Sequence, residues 1–125
     1  MHDQTFLIRN QHPKTDNREH SVPIYFTSSY VFDNADHMAA LFADEQEGFI
    51  YSRYANPNVS ELIQKVVRLE GCENGWATAS GMAAIFSTFG AFLNAGDEII
   101  SARSVFGSTH KLFTQIFPKW GIKTT

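Results

Sequence analysis

The chain has 125 residues, of which 43% are hydrophobic and 14% aromatic, and its formal net charge is −3. This composition supplies enough apolar side chains for a folded core and excludes a disordered chain. The charged residues are scattered along the chain and their net charge is slightly negative, so they form no basic patch that would bind nucleic acid or an anionic membrane. Cys72 is the only cysteine, which excludes an internal disulfide and favours a reducing compartment.

The sequence also disfavours a secreted protein and a membrane protein. The N-terminus lacks the basic and then apolar segments of a secretory signal, so we expect a cytoplasmic location. The uncharged run over residues 74–96 is long enough to span a bilayer, but it is rich in small residues and flanked by acidic ones, so we expect no membrane partner. The histidines lack metal-ligand spacing, and we predict no metal site.

The first half of the chain alternates extended segments and helices. Residues 22–32 are rich in β-branched and aromatic side chains and are predicted to be extended. Residues 33–48 predict a short helix capped by Asp33 or Asn34. Residues 49–58 then read as a strand or an exposed loop.

A second helix is predicted from Asn56 to Gly71. An Asn followed by Pro is a typical helix start, since Asn caps the free N–H groups and Pro is tolerated at the first helical position. Glycine is the usual residue at a helix end. The apolar residues between them follow helical spacing: Val59, Leu62, Ile63, Val66 and Val67.

From residue 75 onward, strands and helices alternate. We predict a strand at 75–80, a helix over 81–96, a strand at 97–103, a helix within 105–121 and a further strand from 122. Strands separated by helices of this length predict an α/β fold with a mainly parallel sheet and right-handed crossovers. A sheet buried on both faces needs more strands than these, so we expect an incomplete part of a larger domain.

Small side chains collect where the helix over 81–96 is predicted to begin. A helix N-terminus offers unpaired N–H groups and the positive end of the helix dipole to an anion. Gly81 has no Cβ to block the approach, Ser80 can add a hydroxyl, and Met82 can add a backbone N–H. The alternative is a tight turn between a strand and a packed helix, which this segment by itself favours.

Two other positions have the chemistry of a ligand site. Tyr51 and Arg53 are two residues apart, so in an extended segment both side chains leave one face and could clamp a phosphate. The alternative is an ion pair of Arg53 with Glu45 or Glu47. Phe106 follows a predicted strand end, where α/β sheets bind ligands, and could stack on a planar ring or pack in the core.

Together, three segments resemble one family: YSRYANP (51–57), ATASGMAA (77–84) and SARSVFGST (101–109). In this order and spacing they are similar to the pyridoxal-phosphate enzymes of cysteine and methionine metabolism, which include cystathionine γ-synthase, methionine γ-lyase and the homoserine-ester sulfhydrylases. The resemblance runs from about residue 22 to the last residue. FTSSYVF, with Phe106 where the family commonly has tyrosine, most resembles the sulfhydrylases that use O-succinylhomoserine.

The resemblance implies a fold, a cofactor and an assembly. Residues 1–55 would form an N-terminal arm that contacts a neighbouring subunit, and residues 56–125 would begin an aspartate aminotransferase-like large domain. The cofactor is pyridoxal 5'-phosphate (PLP). The resemblance implies that an arginine and a tyrosine of one subunit reach the PLP phosphate of its neighbour, which makes a dimer the minimal active unit and a dimer of dimers the usual assembly.

Carried over by position, the resemblance also implies residue roles. Gly81 and Met82 would donate backbone N–H groups to the PLP phosphate, and Phe106 would stack on the pyridine ring. Tyr51 and Arg53 would be the pair that reaches the phosphate held by the neighbouring subunit. No lysine of the chain lies in the motif of the Schiff-base lysine, so we expect no catalytic residue here and only the N-terminal part of the enzyme.

The implied reaction replaces the acyl group of O-succinyl- or O-acetylhomoserine with sulfide or a thiol, in methionine biosynthesis. The alternatives within the family are the reactions of cystathionine γ-synthase and methionine γ-lyase. A further alternative is an inactive truncated chain that only associates with full-length subunits.

Overall fold

A computed structural model describes residues 2–125, which fall into two compact units, one ending at Trp76 and one running from Ala77 to Thr125. Within the described residues there are five α-helices and two short strands. In chain order they are α1 (Asp3–Arg9), α2 (Ala35–Phe42), α3 (Pro57–Glu70), α4 (Gly81–Phe92), β1 (Glu98–Ile99), α5 (Gly107–Lys111) and β2 (Lys123–Thr124).

Helix α3 is the longest element of the first unit and has the predicted ends. The side chain of Asn56 accepts a hydrogen bond from the N–H of Asn58, and Pro57 is the first helical residue. Gly71 ends the helix in a left-handed conformation, with φ at 65°, which glycine adopts without steric cost. The predicted Asn34 cap of α2 is confirmed too, because its side chain accepts from the N–H of His37 at 2.8 Å.

Helix α1 was not anticipated from the polar N-terminal sequence. Asp3 lies in its first turn and Arg9 in its last, where each charge interacts favourably with the helix dipole. Arg68 of α3 donates to the Asp3 carboxylate at 3.3 Å and lies 5.8 Å from the centre of the Phe6 ring. These tertiary contacts stabilise a helix that is too short to form alone.

The second unit contains a two-stranded parallel sheet. Glu98 of β1 pairs with Lys123 of β2, and Ile99 pairs with Thr124. The chain between them is helical: α5 passes into a π-helical turn (Leu112–Ile116) and a 3₁₀ turn (Phe117–Trp120). The predicted α/β class with parallel pairing is therefore confirmed.

One buried cluster holds the second unit together. It consists of Ile99, Leu112, Phe113, Phe117 and Ile122, against which four half-buried residues of α4 and its C-cap pack: Met82, Ile85, Phe89 and Leu93. Phe117 is fully buried. This cluster fixes one face of α4 against the β1–α5–β2 segment.

Several predicted elements differ in the structure. The helix predicted over 33–48 ends at Phe42. Residues 75–80 do not form a strand, since no strand among residues 2–125 lies beside them to pair with. Helix α4 ends at Phe92, four residues early, because the Asp97 carboxylate accepts from the N–H of Asn94 and closes a turn there. The single helix predicted within 105–121 is divided into three, and Pro118, which has no N–H, lies in its last part.

Residues 22–32 also lack a regular strand. Ser29 forms one isolated antiparallel bridge with Tyr51, and hydrogen bonds to other parts of the first unit hold the rest of the segment. Nearer the N-terminus, hydrogen bonds from the backbone N–H and the hydroxyl of Thr15 lower the pKa of the Glu19 carboxyl.

Candidate functional site

The N-terminal end of α4 has two backbone donors to offer. Ser80 caps the helix, its hydroxyl oxygen accepts from the N–H of Ala83 at 3.2 Å, and its carbonyl accepts from the N–H of Ala84. Within residues 2–125, no acceptor is found for the N–H of Gly81 or of Met82. The Ser80 hydroxyl, which the sequence offered as a further group for an anion, is used as the cap, and the next two N–H groups remain available.

The backbone of Gly81 has a helical conformation that does not require glycine. Its φ is not in the left-handed region, and a Cβ built on it would have no protein atom within 4 Å. Glycine is therefore not required there by turn geometry or by packing in this structure. Without a Cβ at this position, an anion can approach the free N–H groups of the helix end more closely.

Phe106 lies close to this helix end. The Thr109 hydroxyl of α5 donates to the sulfur of Met82 in α4 at 3.8 Å. Because Met82 is the second residue of α4 and Thr109 the third of α5, this contact brings the N-terminal ends of the two helices together. Phe106, the residue before α5, is 70% exposed, so its ring is free of the core of the second unit.

The Tyr51–Arg53 pair lies in the first unit, on a turn and not in an extended segment. The segment turns after Tyr51, whose carbonyl accepts from the N–H groups of Tyr54 and Ala55 at 2.8 and 3.1 Å. Of the two alternatives predicted for residues 49–58, a strand or an exposed loop, the structure has the loop at this point, because these turn hydrogen bonds replace a ladder to a second strand. The two side chains still meet: the Arg53 guanidinium carbon lies 5.5 Å from the centre of the Tyr51 ring.

The Arg53 guanidinium has no carboxylate partner within the described part of the chain. It forms no ion pair there, with Glu45, Glu47 or any other carboxylate. Its one hydrogen bond is from Nη2 to the hydroxyl oxygen of Tyr54, at 3.4 Å. The remaining guanidinium donors and the Tyr51 hydroxyl are thus exposed groups without a partner in residues 2–125, which suits an anion clamp.

Sequence reasoning missed the side chains that hold this turn in place. The buried Asn56 side chain donates to the Tyr25 carbonyl at 3.0 Å and to the hydroxyl oxygens of Ser52 and Tyr30 at 3.2 and 3.3 Å. Asn58 donates to the Pro23 carbonyl at 2.8 Å. The Asn-Pro-Asn sequence signals a helix cap, but no local pattern indicates that both amides also bind a segment 31 to 35 residues away.

We expect Asn56→Ala to lower the free energy of unfolding by about 2 kcal/mol, because it removes the α3 cap and leaves the Tyr25 carbonyl without its donor. Urea unfolding of the variant measures this loss. Asn74→Ala is the matched control, since the exposed Asn74 side chain accepts only from the neighbouring N–H of Gly75. Equal stability of the two variants would contradict the positioning role of Asn56.

The chain matches the family model described as Cys/Met metabolism PLP-dependent enzyme over residues 4–125. It belongs to this family, whose enzymes depend on PLP, and the recognition made from the three motifs is confirmed. The first of two similar relatives, an O-succinylhomoserine sulfhydrylase of Mycobacterium tuberculosis, is 45% identical over 81% of this chain and 25% of its own length. The second, an O-succinylhomoserine sulfhydrylase of Pseudomonas aeruginosa, is 43% identical over 95% of this chain and 30% of its own length.

A solved structure supports the same fold. A Campylobacter jejuni protein assigned as an O-acetylhomoserine (thiol)-lyase, which contains N'-pyridoxyl-lysine-5'-monophosphate, has a TM-score of 0.90 and 32% sequence identity to this chain. The match covers 99% of this chain and 30% of that one. The chain thus spans between a quarter and a third of the length of the proteins it resembles.

The described residues fit PLP at two places. A phosphate group suits the free N–H groups at the start of α4, and a planar ring suits the exposed face of Phe106. Among residues 2–125, no group of three or more His, Cys, Asp or Glu side chains could hold a metal ion. None of the helices in this part of the chain has both the length and the apolar character needed to cross a membrane.

Proposed function

We propose that the protein containing this chain replaces the acyl group of O-succinyl- or O-acetylhomoserine with sulfide or a thiol, in methionine biosynthesis. The observation that carries this proposal is the start of α4, where the N–H groups of Gly81 and Met82 have no acceptor within residues 2–125 and the segment that presents Phe106 lies beside them. The names of the relatives favour a homoserine ester as substrate. When bound, PLP supplies the electron sink that such a replacement requires.

Each candidate site residue then has a defined role in binding PLP. The N–H groups of Gly81 and Met82 bind the phosphate in the field of the α4 dipole, and Phe106 orients the pyridine ring by stacking. Tyr51 and Arg53 add a hydroxyl and a guanidinium to the phosphate held by a neighbouring subunit. Residues 1–55 serve as the arm that reaches this neighbour, and residues 56–125 begin the large domain.

We further propose a cytoplasmic homotetramer, built as a dimer of dimers. The subunits are joined in pairs because each phosphate site is completed by the arm of its partner. The exposed Tyr51–Arg53 pair supports this assignment, since within residues 2–125 the Tyr51 hydroxyl has no hydrogen-bond partner and Arg53 has no carboxylate partner.

Product analysis of the full-length native protein tests the reaction. We expect homocysteine to form from O-succinylhomoserine or O-acetylhomoserine and sulfide faster than any other product. Faster formation of cystathionine from a homoserine ester and cysteine, or faster breakdown of methionine, would assign the protein to another reaction of the same family.

Mixing two variants that each bind PLP weakly tests the shared site, at a PLP concentration that saturates only the wild type. Arg53→Ala removes the arm contact, and Gly81→Ala obstructs the phosphate cradle, so each variant has impaired sites when it is alone. In a hybrid dimer, one site combines the intact Gly81 of one subunit with the intact Arg53 of the other. We expect re-equilibrated equimolar mixtures to recover about a quarter of the wild-type activity, because half of the dimers are hybrids with one good site of two.

The control for this experiment is a mixture in which both subunits carry Arg53→Ala. If exchange is demonstrated with labelled subunits and activity is not regained, Arg53 acts in its own subunit or has no part in the site.

A further inference from the structure

The side chain next to the Tyr51–Arg53 pair has no role in the function proposed above. Tyr54 contacts the Arg53 guanidinium twice, since its ring centre lies 4.8 Å from the guanidinium carbon and its hydroxyl oxygen accepts from Nη2 at 3.4 Å. The Tyr51 and Tyr54 rings lie 5.9 Å apart at 75° to one another. Arg53 therefore lies against two aromatic rings of its own turn.

We propose that Tyr54 is a positioning residue, which holds the Arg53 guanidinium beside Tyr51 so that the two side chains present a single anion clamp. The inference rests on the proposed function in one respect, namely that the anion is the PLP phosphate of a neighbouring subunit. Tyr54 itself does not contact the anion. It acts by limiting the conformations of a long and otherwise free side chain.

The physical basis is the cost of ordering Arg53. A free arginine side chain loses much of its rotamer freedom when it binds an anion, and that loss weakens binding. A guanidinium already held on aromatic faces loses less, because the cation–π contacts and the Tyr54 hydroxyl have ordered it beforehand. Only one N–H is used in this contact, so the others remain available to a phosphate.

The turn gives Tyr54 its position. The Tyr54 N–H donates to the Tyr51 carbonyl at 2.8 Å, and this turn places the centres of both rings within 5.5 Å of the Arg53 guanidinium carbon. Ser52, between them, is fixed by its N–H to the Ser28 carbonyl at 2.9 Å and by the Asn56 side chain. The backbone that carries the side chains of Tyr51, Arg53 and Tyr54 is thus held in place by contacts other than those within the clamp.

The experiment measures PLP affinity rather than activity. Full-length native enzyme is stripped of cofactor, and PLP is titrated into the wild type and into Tyr54→Phe, Tyr54→Leu, Arg53→Ala and the double variant Arg53→Ala/Tyr54→Leu. Tyr25→Leu is the matched control, since the hydrogen bonds of Tyr25 to Asn56 and Asn58 are made by its backbone.

We expect Tyr54→Leu to raise the dissociation constant for PLP about two- to fivefold and Tyr54→Phe, which keeps the ring, to raise it less. The double variant should bind PLP like Arg53→Ala alone, because a positioning residue has no effect once its target is gone. Crystals of Tyr54→Leu should show the Arg53 guanidinium displaced from the Tyr51 ring.

Three results would overturn the inference. In the first, Tyr54→Leu binds PLP as tightly as Tyr25→Leu while Arg53→Ala binds it more weakly. Arg53 would then still bind the phosphate, and Tyr54 would have no part in positioning it. The effects of Arg53→Ala and Tyr54→Leu could add in the double variant, which would indicate a merely structural role. Arg53→Ala could itself leave the affinity unchanged, in which case the phosphate role proposed for Arg53 fails as well.

Discussion

Replacing Gly81 with alanine is expected to weaken PLP binding about 10- to 100-fold, the equivalent of losing about one charge-assisted hydrogen bond. The added methyl group would lie beside the free N–H groups at the start of α4 and hinder the close approach of the phosphate to them. It would meet no protein atom within 4 Å, so the fold itself should tolerate the change. Fluorescence titration of the cofactor-free enzyme with PLP measures the affinity.

Gly90→Ala is the matched control for this prediction. Gly90 lies inside the same helix, and a Cβ there also meets nothing within 4 Å. We expect this variant to bind PLP normally and to be more stable than the wild type by about 0.5–1 kcal/mol, since alanine is the better residue inside a helix. If Gly81→Ala bound PLP as tightly as Gly90→Ala does, the start of α4 would not be the phosphate site.

Phe117→Ala is expected to lower the free energy of unfolding by about 3–5 kcal/mol. Phe117 is fully buried, and its ring lies about 6 Å from those of Phe89 and Phe113 and 5.6 Å from that of Trp120. Truncation therefore leaves a cavity at the centre of the cluster that holds α4 in place. Urea unfolding followed by tryptophan fluorescence measures the loss, because Trp120 reports on this cluster.

Phe106→Ala is the control with the same chemical change in the same unit. Because Phe106 is 70% exposed, its truncation should change the stability of the cofactor-free enzyme by less than about 0.5 kcal/mol while weakening PLP binding. The two variants thus separate a core phenylalanine from a ligand-binding one. Comparable destabilisation by both would mean that Phe106 packs in the core of the complete protein.

The structure links this core to the candidate site through α4. Met82 contributes its N–H to the free helix end and its side chain to the cluster, and its sulfur accepts a hydrogen bond from the buried Thr109 hydroxyl. Helix α4 is therefore fixed by the face that carries Met82, Ile85 and Phe89. A rigid helix end loses less freedom when it binds an anion than a mobile loop does.

Short-range patterns in the amino-acid sequence were sufficient to predict several features correctly. They include the caps of α2 and α3, the start of α4 at Ser80 and Gly81, the parallel pairing of the segments at 97–103 and beyond 122, and the motifs of the family. Helix caps depend on interactions within three or four residues, which can be read from composition and spacing. The five residues predicted to bind PLP rest on the same motifs and remain predictions.

Other features were decided by residues far apart in the chain. Residues 75–80 have the composition of a strand, but a strand exists only where a second one lies beside it to share hydrogen bonds. Helix α1 depends on Arg68, and the turn at Tyr51 depends on Asn56 and on contacts with residues 25–30. The contact between Tyr54 and Arg53 followed from this turn, since an extended segment would have put the two side chains on opposite faces.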